Sequence, residues 1–202
     1  MYIISFLFSC SYLESIYYLV GHYYTLKPYV IKNVTKSAYL FLLFIFSSLC
    51  IIPSVIYGDY NNTLIKVCGS LYVSNDFCAL FHVKLNNTTK LHHIATSILL
   101  FYSWTLDFNE NHIAKLIFFY TYISSANFGV NLFLGLRFFE EYKRFLNSLK
   151  NIIKHIYLVS FIVNVLLQFY FIDFTVSGTY IYAILISLII VDDIYLLKWL
   201  YN

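Results

Sequence analysis

The stretch SAYLFLLFIFSSLCIIPSVIY, Ser37 to Tyr57, runs 21 residues without a charged side chain. A helix needs about 20 such residues to cross the hydrocarbon core of a bilayer, so this segment reads as a membrane span. A transmembrane β-strand would be shorter and would alternate apolar and polar residues, whereas Phe41 to Phe46 is apolar on every side, as is Ile184 to Val191. The whole chain has the same character. Its 202 residues are 60% hydrophobic, 21% aromatic and only 11% charged, with a mean hydropathy of +0.72. Soluble domains carry about 25% charged residues, so this chain lacks the polar side chains to cover a water-facing surface. The same numbers exclude disorder. Cys10, Cys50, Cys68 and Cys78 fall at irregular intervals inside apolar stretches and read as buried thiols, not as a disulfide framework.

Seven apolar stretches can be placed: Tyr2 to Val20, Ser37 to Tyr57, Leu64 to Val83, Leu91 to Leu106, Ile113 to Leu136, Ile152 to Ile172 and Thr179 to Ile194. The fold class expected is therefore all-α, a single multi-pass transmembrane bundle of about seven helices filling residues 1–202. Lys27, Lys32 and Lys36 then fall in the first connection, Lys84 and Lys90 in the third, and Arg137, Lys143, Arg144, Lys150 and Lys154 in the fifth. With Lys198, 11 of the 13 basic residues lie on one side. Retention of Lys and Arg in the cytosol makes that side cytosolic, with the N-terminus lumenal or external and the C-terminus cytosolic. Met1 to Ser5 lacks a basic residue and Glu14 interrupts the first apolar run, so no cleaved signal peptide is expected. Asn61-Asn62-Thr63 matches a glycosylation sequon in a very short lumenal loop.

Polar side chains in hydrocarbon are expensive and normally face the bundle interior or a wet cavity, which makes each of them a candidate for function. His92 and His93 stand together at the cytosolic mouth of the fourth span, followed on overlapping helical faces by Thr96 and Ser97. Imidazole titrates near neutral pH and suits a general base, an acyl acceptor or a proton shuttle. Asp76 lies about seven residues from the cytosolic end of the third span, roughly 10 Å deep at 1.5 Å per residue, near the level of Thr96 to Leu99. Tyr120, Ser124, Asn127 and Asn131 form a polar stripe on the fifth span, and Ser160, Asn164 and Gln168 another on the sixth. The candidate catalytic residues are thus His92, His93 and Asp76. The candidate lining of an internal chamber is Thr96, Ser97, Ser124, Asn127, Asn131, Asn164 and Gln168. Glu14 is expected to pair with a neighbouring helix, and Asp192 and Asp193 to reach cytosolic water. No Gly-rich phosphate loop, zinc spacing or internal repeat is present, so no metal, cofactor or nucleic-acid partner is expected.

An Asp beside an aromatic residue in one span, a short basic connection, His-His-x-x-Thr opening the next, then a Ser/Asn-rich span ending in Arg: this order resembles the TLC-domain family. The residues that carry it are Leu71 to Phe77, Leu91 to Thr96, and Ile123 to Leu132 running on to Arg137, about a third of the chain. Ceramide synthases of that family carry a His and two Asp residues in the helix that follows. Ile113 to Leu136 has neither His nor acid, so the chain is more similar to the small TLC-domain proteins than to ceramide synthases. The resemblance implies membrane lipids as partners, an influence on membrane lipid composition, and residence in the endoplasmic reticulum or a related endomembrane. For an enzymatic member it implies acyl transfer, with acyl-CoA as co-substrate drawn to Arg137, Lys84 and Lys90. The residues alone leave catalysis and lipid binding both open. They also leave open a transporter or channel using Asp76 and the histidines, and a scaffold whose polar stripes serve packing.

Overall fold

The computed structural model describes all residues from Met1 to Asn202 and contains helices and turns but no strand. Its helices are α1 (Tyr2–Tyr24), α2 (Pro28–Phe46), α3 (Ile52–Ile56), α4 (Asn62–His82), α5 (Asn87–Trp104), α6 (His112–Ser125), α7 (Phe128–Leu136), α8 (Lys143–Phe171) and α9 (Thr179–Tyr201). Pro28 begins α2, where its missing N–H costs nothing. Three helices start on an asparagine cap: the side-chain oxygens of Asn61, Asn86 and Asn111 accept from Leu64 N at 3.1 Å, Thr89 N at 2.8 Å and Ala114 N at 3.1 Å. A π-helical turn, Ser47–Ile51, joins α2 to α3 just ahead of Pro53, whose ring breaks the ladder there.

Five segments are long and apolar enough to cross a membrane: Tyr2–Tyr24, Pro28–Ile56, Asn62–His82, Glu140–Phe171 and Thr179–Tyr201. The outward faces carry large apolar side chains such as Phe8, Leu42, Leu49, Leu166, Phe169 and Ile184. The chain has the exterior of an integral membrane protein, because only lipid makes that surface favourable.

The α2 helix differs from expectation. It begins at Pro28 instead of near Ser37, so Lys32 and Lys36 are not connection residues but buried members of a helix. The reason is visible in their spacing: Asn33, Lys36, Ser37, Leu40 and Leu43 recur at three and four residues and form one inward stripe. The expected fifth span is broken. α6 ends at Ser125 and α7 begins at Phe128, the hydroxyl of Ser125 bonding back to Tyr122 O at 2.6 Å, in competition with the helical ladder. Of the four thiols only Cys78 is buried, and Cys50 faces outward.

Packing pairs α1 with α4, α2 with α4 and α7, α5 with α4 and α9, and α8 with α6, α7 and α9. α7 approaches α2 closely. A Cβ on Gly135 would stand 2.8 Å from Val34 Cγ2 and 3.2 Å from its backbone nitrogen. Replacing Gly135 by leucine is therefore expected to push the helices apart at a cost of about 1–3 kcal/mol, read as a lower thermal midpoint in detergent; an unchanged midpoint would show that this approach is not tight.

In the α5–α6 connection the Asp107 carboxylate accepts from Asn62 Nδ2 and from Asn109 N, both at 2.8 Å. These bonds, that from Asn62 foremost, hold it below the ordinary carboxylate value of 3.8. A lowered value means stability present above that pH and lost as pH falls through the folded value. The Asp107→Asn variant should thus lose less of its thermal midpoint on acidification below pH 3.8 than the wild type does, and parallel pH curves would refute the linkage.

A candidate functional site in a polar chamber

α2, α4, α5, α6, α7, α8 and α9 line a chamber of about 520 Å³ that opens to the outside. Its position follows from how α4 is tied in. Ser74 shares a 2.7 Å hydrogen bond with Ser9 of α1, and Asn75 Nδ2 donates to Thr35 Oγ1 of α2 at 2.7 Å. One residue on, Lys36 Nζ donates to Asp76 Oδ2 at 2.7 Å and to the carbonyl of Tyr72 at 2.8 Å, with its charge 4.0 Å from the centre of the Tyr72 ring. The two charged side chains are 6% and 4% exposed. Desolvation on this scale is tolerable only because the pair is completed by further polar contacts.

The short connection after α4 returns the chain antiparallel, and the Asn86 cap starts α5 so that both histidines enter the chamber. Each faces a different carboxylate. His93 Nδ1 lies 3.3 Å from Asp76 Oδ1, and His92 Nδ1 lies 3.3 Å from Asp192 Oδ2. Asp192 is itself held by the hydroxyls of Thr88 and Thr89, which donate to its Oδ1 at 2.8 and 2.9 Å. The neighbouring Asp193 accepts from Tyr120 at 2.5 Å and Tyr157 at 2.8 Å. Asp192 and Asp193 therefore turn into the bundle instead of reaching cytosolic water, because hydroxyl and imidazole partners on α5, α6 and α8 supply what water would have. Glu14 pairs with His82 at 2.7 Å, between α1 and α4 and away from the chamber.

Among the other candidates, Ser124, Asn127, Asn131 and Asn164 line the chamber, with Asn164 Nδ2 donating to Ser124 Oγ at 3.1 Å. Thr96 and Ser97 bond back to the His93 carbonyl at 3.0 and 2.7 Å. Ser97 lines neither the chamber nor the apolar crevice of about 60 Å³ that Thr96 faces. Gln168 sits in a packed interface, bonded to Leu116 O and Tyr182, outside both cavities. The crevice runs beside Leu99, Leu100, Ile186 and Ile189, and Tyr72 and Tyr120 line both it and the polar chamber.

Lys32, Lys36, Asp192 and Tyr157 were not among the sequence candidates, though the inward stripe of α2 was readable from its spacing. Nine buried side-chain atoms have no hydrogen-bond partner, and seven of them belong to residues lining the chamber: Asn33, His92, His93, Asn127, Arg137 and Asn164. Two of the seven, Nδ1 of His92 and of His93, stand 3.3 Å from carboxylate oxygens outside hydrogen-bond geometry, and the other five give the chamber a polar lining not spent on helix-to-helix bonds.

Asp76, His92 and His93 present ligand atoms within 4.8 Å of one another. Lys36 already occupies one Asp76 oxygen, and Lys32 and Arg137 line the same space, so the field opposes a metal cation. Two imidazoles, each set against a carboxylate, suit proton transfer or nucleophilic chemistry. Comparison with known protein families, with curated proteins and with solved structures finds no match to this chain.

Removing one partner of a buried ion pair strands the other. Asp76→Ala is expected to destabilise the protein by about 3–5 kcal/mol, and the double change Asp76→Leu with Lys36→Met to recover most of that. Thermal unfolding of the three proteins tests this, and a double variant no better than the single one would show that the loss does not come from a stranded Lys36 charge.

Proposed function

We propose that this protein is a TLC-type membrane bundle that holds a long-chain lipid inside and alters membrane lipid composition, by acyl transfer at His92. The observation that carries the reading is the adjacency of two cavities that share Tyr72 and Tyr120 in their walls, one polar with unpartnered donors and acceptors, the other apolar. An amphiphile has this division of chemistry. A head group would satisfy the polar atoms while only the first carbons of the chain lie against the crevice, which is too small for the rest.

In this reading α5 and the α6–α7 pair join the five longer segments to make seven crossings. The excess of basic residues at one end of the bundle supports a lumenal N-terminus and a cytosolic C-terminus, in the endoplasmic reticulum or a related endomembrane. Lys32 and Lys36 no longer count toward that excess, but Lys27, Lys84, Lys90 and the run from Arg137 to Lys154 do.

His92 is the better placed base. Its Nδ1 faces Asp192, which orients the ring and stabilises the imidazolium, while its side chain is 16% exposed against 4% for His93. His92 takes the proton from the amine or hydroxyl of an acceptor lipid. The acceptor attacks the thioester carbonyl of an acyl-CoA, the acyl–sulfur bond breaks as the new acyl bond forms, and the thiolate leaves with the proton. His93, Asp76 and Lys36 form the buried wall that positions α5.

Comparative lipidomics of cells expressing wild type, His92→Ala and His93→Ala at matched levels tests this. The expected result is a change in acyl-chain composition with the wild type that His92→Ala abolishes. An identical lipid change from both would sink the transfer step, and no lipid change or co-purifying lipid from any of them would sink the whole reading.

A further inference from the structure

Of the four cationic side chains lining the chamber, Lys36 has a carboxylate partner and Lys84 is exposed at the mouth. Lys32 and Arg137 line the chamber without a carboxylate partner. Lys32 is 7% exposed, donates no hydrogen bond, and has no carboxylate within 4.0 Å. The three chamber carboxylates are held by Lys36, by His92 with two threonines, and by two tyrosines. Arg137 is clasped by aromatic rings, its guanidinium carbon 4.9 Å from the Trp199 ring centre and 5.3 Å from that of Tyr29. Its one polar contact is the Tyr29 hydroxyl at 3.4 Å, and its Nε is buried without a partner. The two cations come from adjoining elements, since Gly135, two residues before Arg137, abuts Asn33 and Val34 on the turn that follows Lys32.

Two cations that face one chamber with no carboxylate in hydrogen-bond reach favour an anion beside them. We infer that Lys32 and Arg137 bind the phosphate group of the amphiphile, an inference that rests on the lipid-binding reading above and names the chemistry of the head group. A carboxylate offers two coplanar oxygens, which one guanidinium fork can occupy alone. A phosphate offers three or more oxygens in a tetrahedral array, enough for the rigid fork of Arg137 from one helix and the point charge of Lys32 from another. The aromatic clasp fixes the guanidinium plane in advance, so little ordering is required when the anion enters. A membrane phospholipid and the diphosphate of an acyl-CoA share this chemistry.

The test uses the full-length protein in maltoside detergent, titrated separately with phosphatidic acid, palmitoyl-CoA, palmitate and diacylglycerol. The wild type is expected to bind at least one phosphate-bearing ligand tenfold or more tighter than palmitate and diacylglycerol. Lys32→Gln and Arg137→Gln should each lose tenfold or more for that ligand and leave diacylglycerol binding unchanged. Preference for palmitoyl-CoA with competition by free coenzyme A supports the inference with the thioester donor as the source. Preference for phosphatidic acid without that competition supports it with a membrane phospholipid as the source. Palmitate or diacylglycerol binding as tightly as the phosphate-bearing ligands would overturn the inference while leaving the lipid-binding reading in place, and binding of none of the four would overturn both. Should Lys32→Gln fail to fold, the ranking of ligands by the wild type and by Arg137→Gln decides the matter.

Discussion

The bundle is organised around one buried ion pair. Lys36 and Asp76 meet at 2.7 Å with almost no exposure, and neither charge is tolerable there without the other. Their meeting sets the register of α2 against α4. That register carries Lys32 into the chamber one turn away and leaves the second Asp76 oxygen facing His93. The pair needs the Tyr72 carbonyl and ring on one side and the α5 wall on the other, so α2, α4 and α5 converge at a single point.

Around that point the polar residues divide into two kinds. Ser97, Ser103, Ser125 and Thr121 bond back to carbonyls of their own helices and so satisfy themselves at little cost. Gln168 and Ser74 tie neighbouring helices together. The remainder, with His92, His93, Asn127, Arg137 and Asn164 foremost, are buried with atoms left unpartnered, and they line one chamber. A structure stabilised only by interhelical hydrogen bonds would not gather its unsatisfied atoms in one place. The second carboxylate pair, Asp192 and Asp193, shows the same division within two consecutive residues. One orients an imidazole beside the chamber, and the other is consumed by the hydroxyls of Tyr120 and Tyr157 in holding α9 to α6 and α8.

The amino-acid sequence by itself determined the class of molecule. Long uncharged runs such as Ser37 to Tyr57 have only one low-energy arrangement in lipid, a helix whose backbone satisfies itself, and no contact with another segment is needed to see it. The same local logic picked out Asp76 and at least one of His92 and His93 as costly residues that should face inward, and both histidines line the chamber. It failed where burial depended on a partner distant in sequence. Lys32 and Lys36 look like connection residues until Asp76, 40 residues on from Lys36, supplies the compensating charge, and Asp192 looks solvated until Thr88, Thr89 and His92 enclose it. Hydroxyls at Thr96 and Ser97 look available until each is found bonded to its own helix. Which polar side chains are spent on packing and which line the chamber was decided only by the tertiary structure, because the energy of a buried charge depends on the groups that surround it and not on its neighbours along the chain.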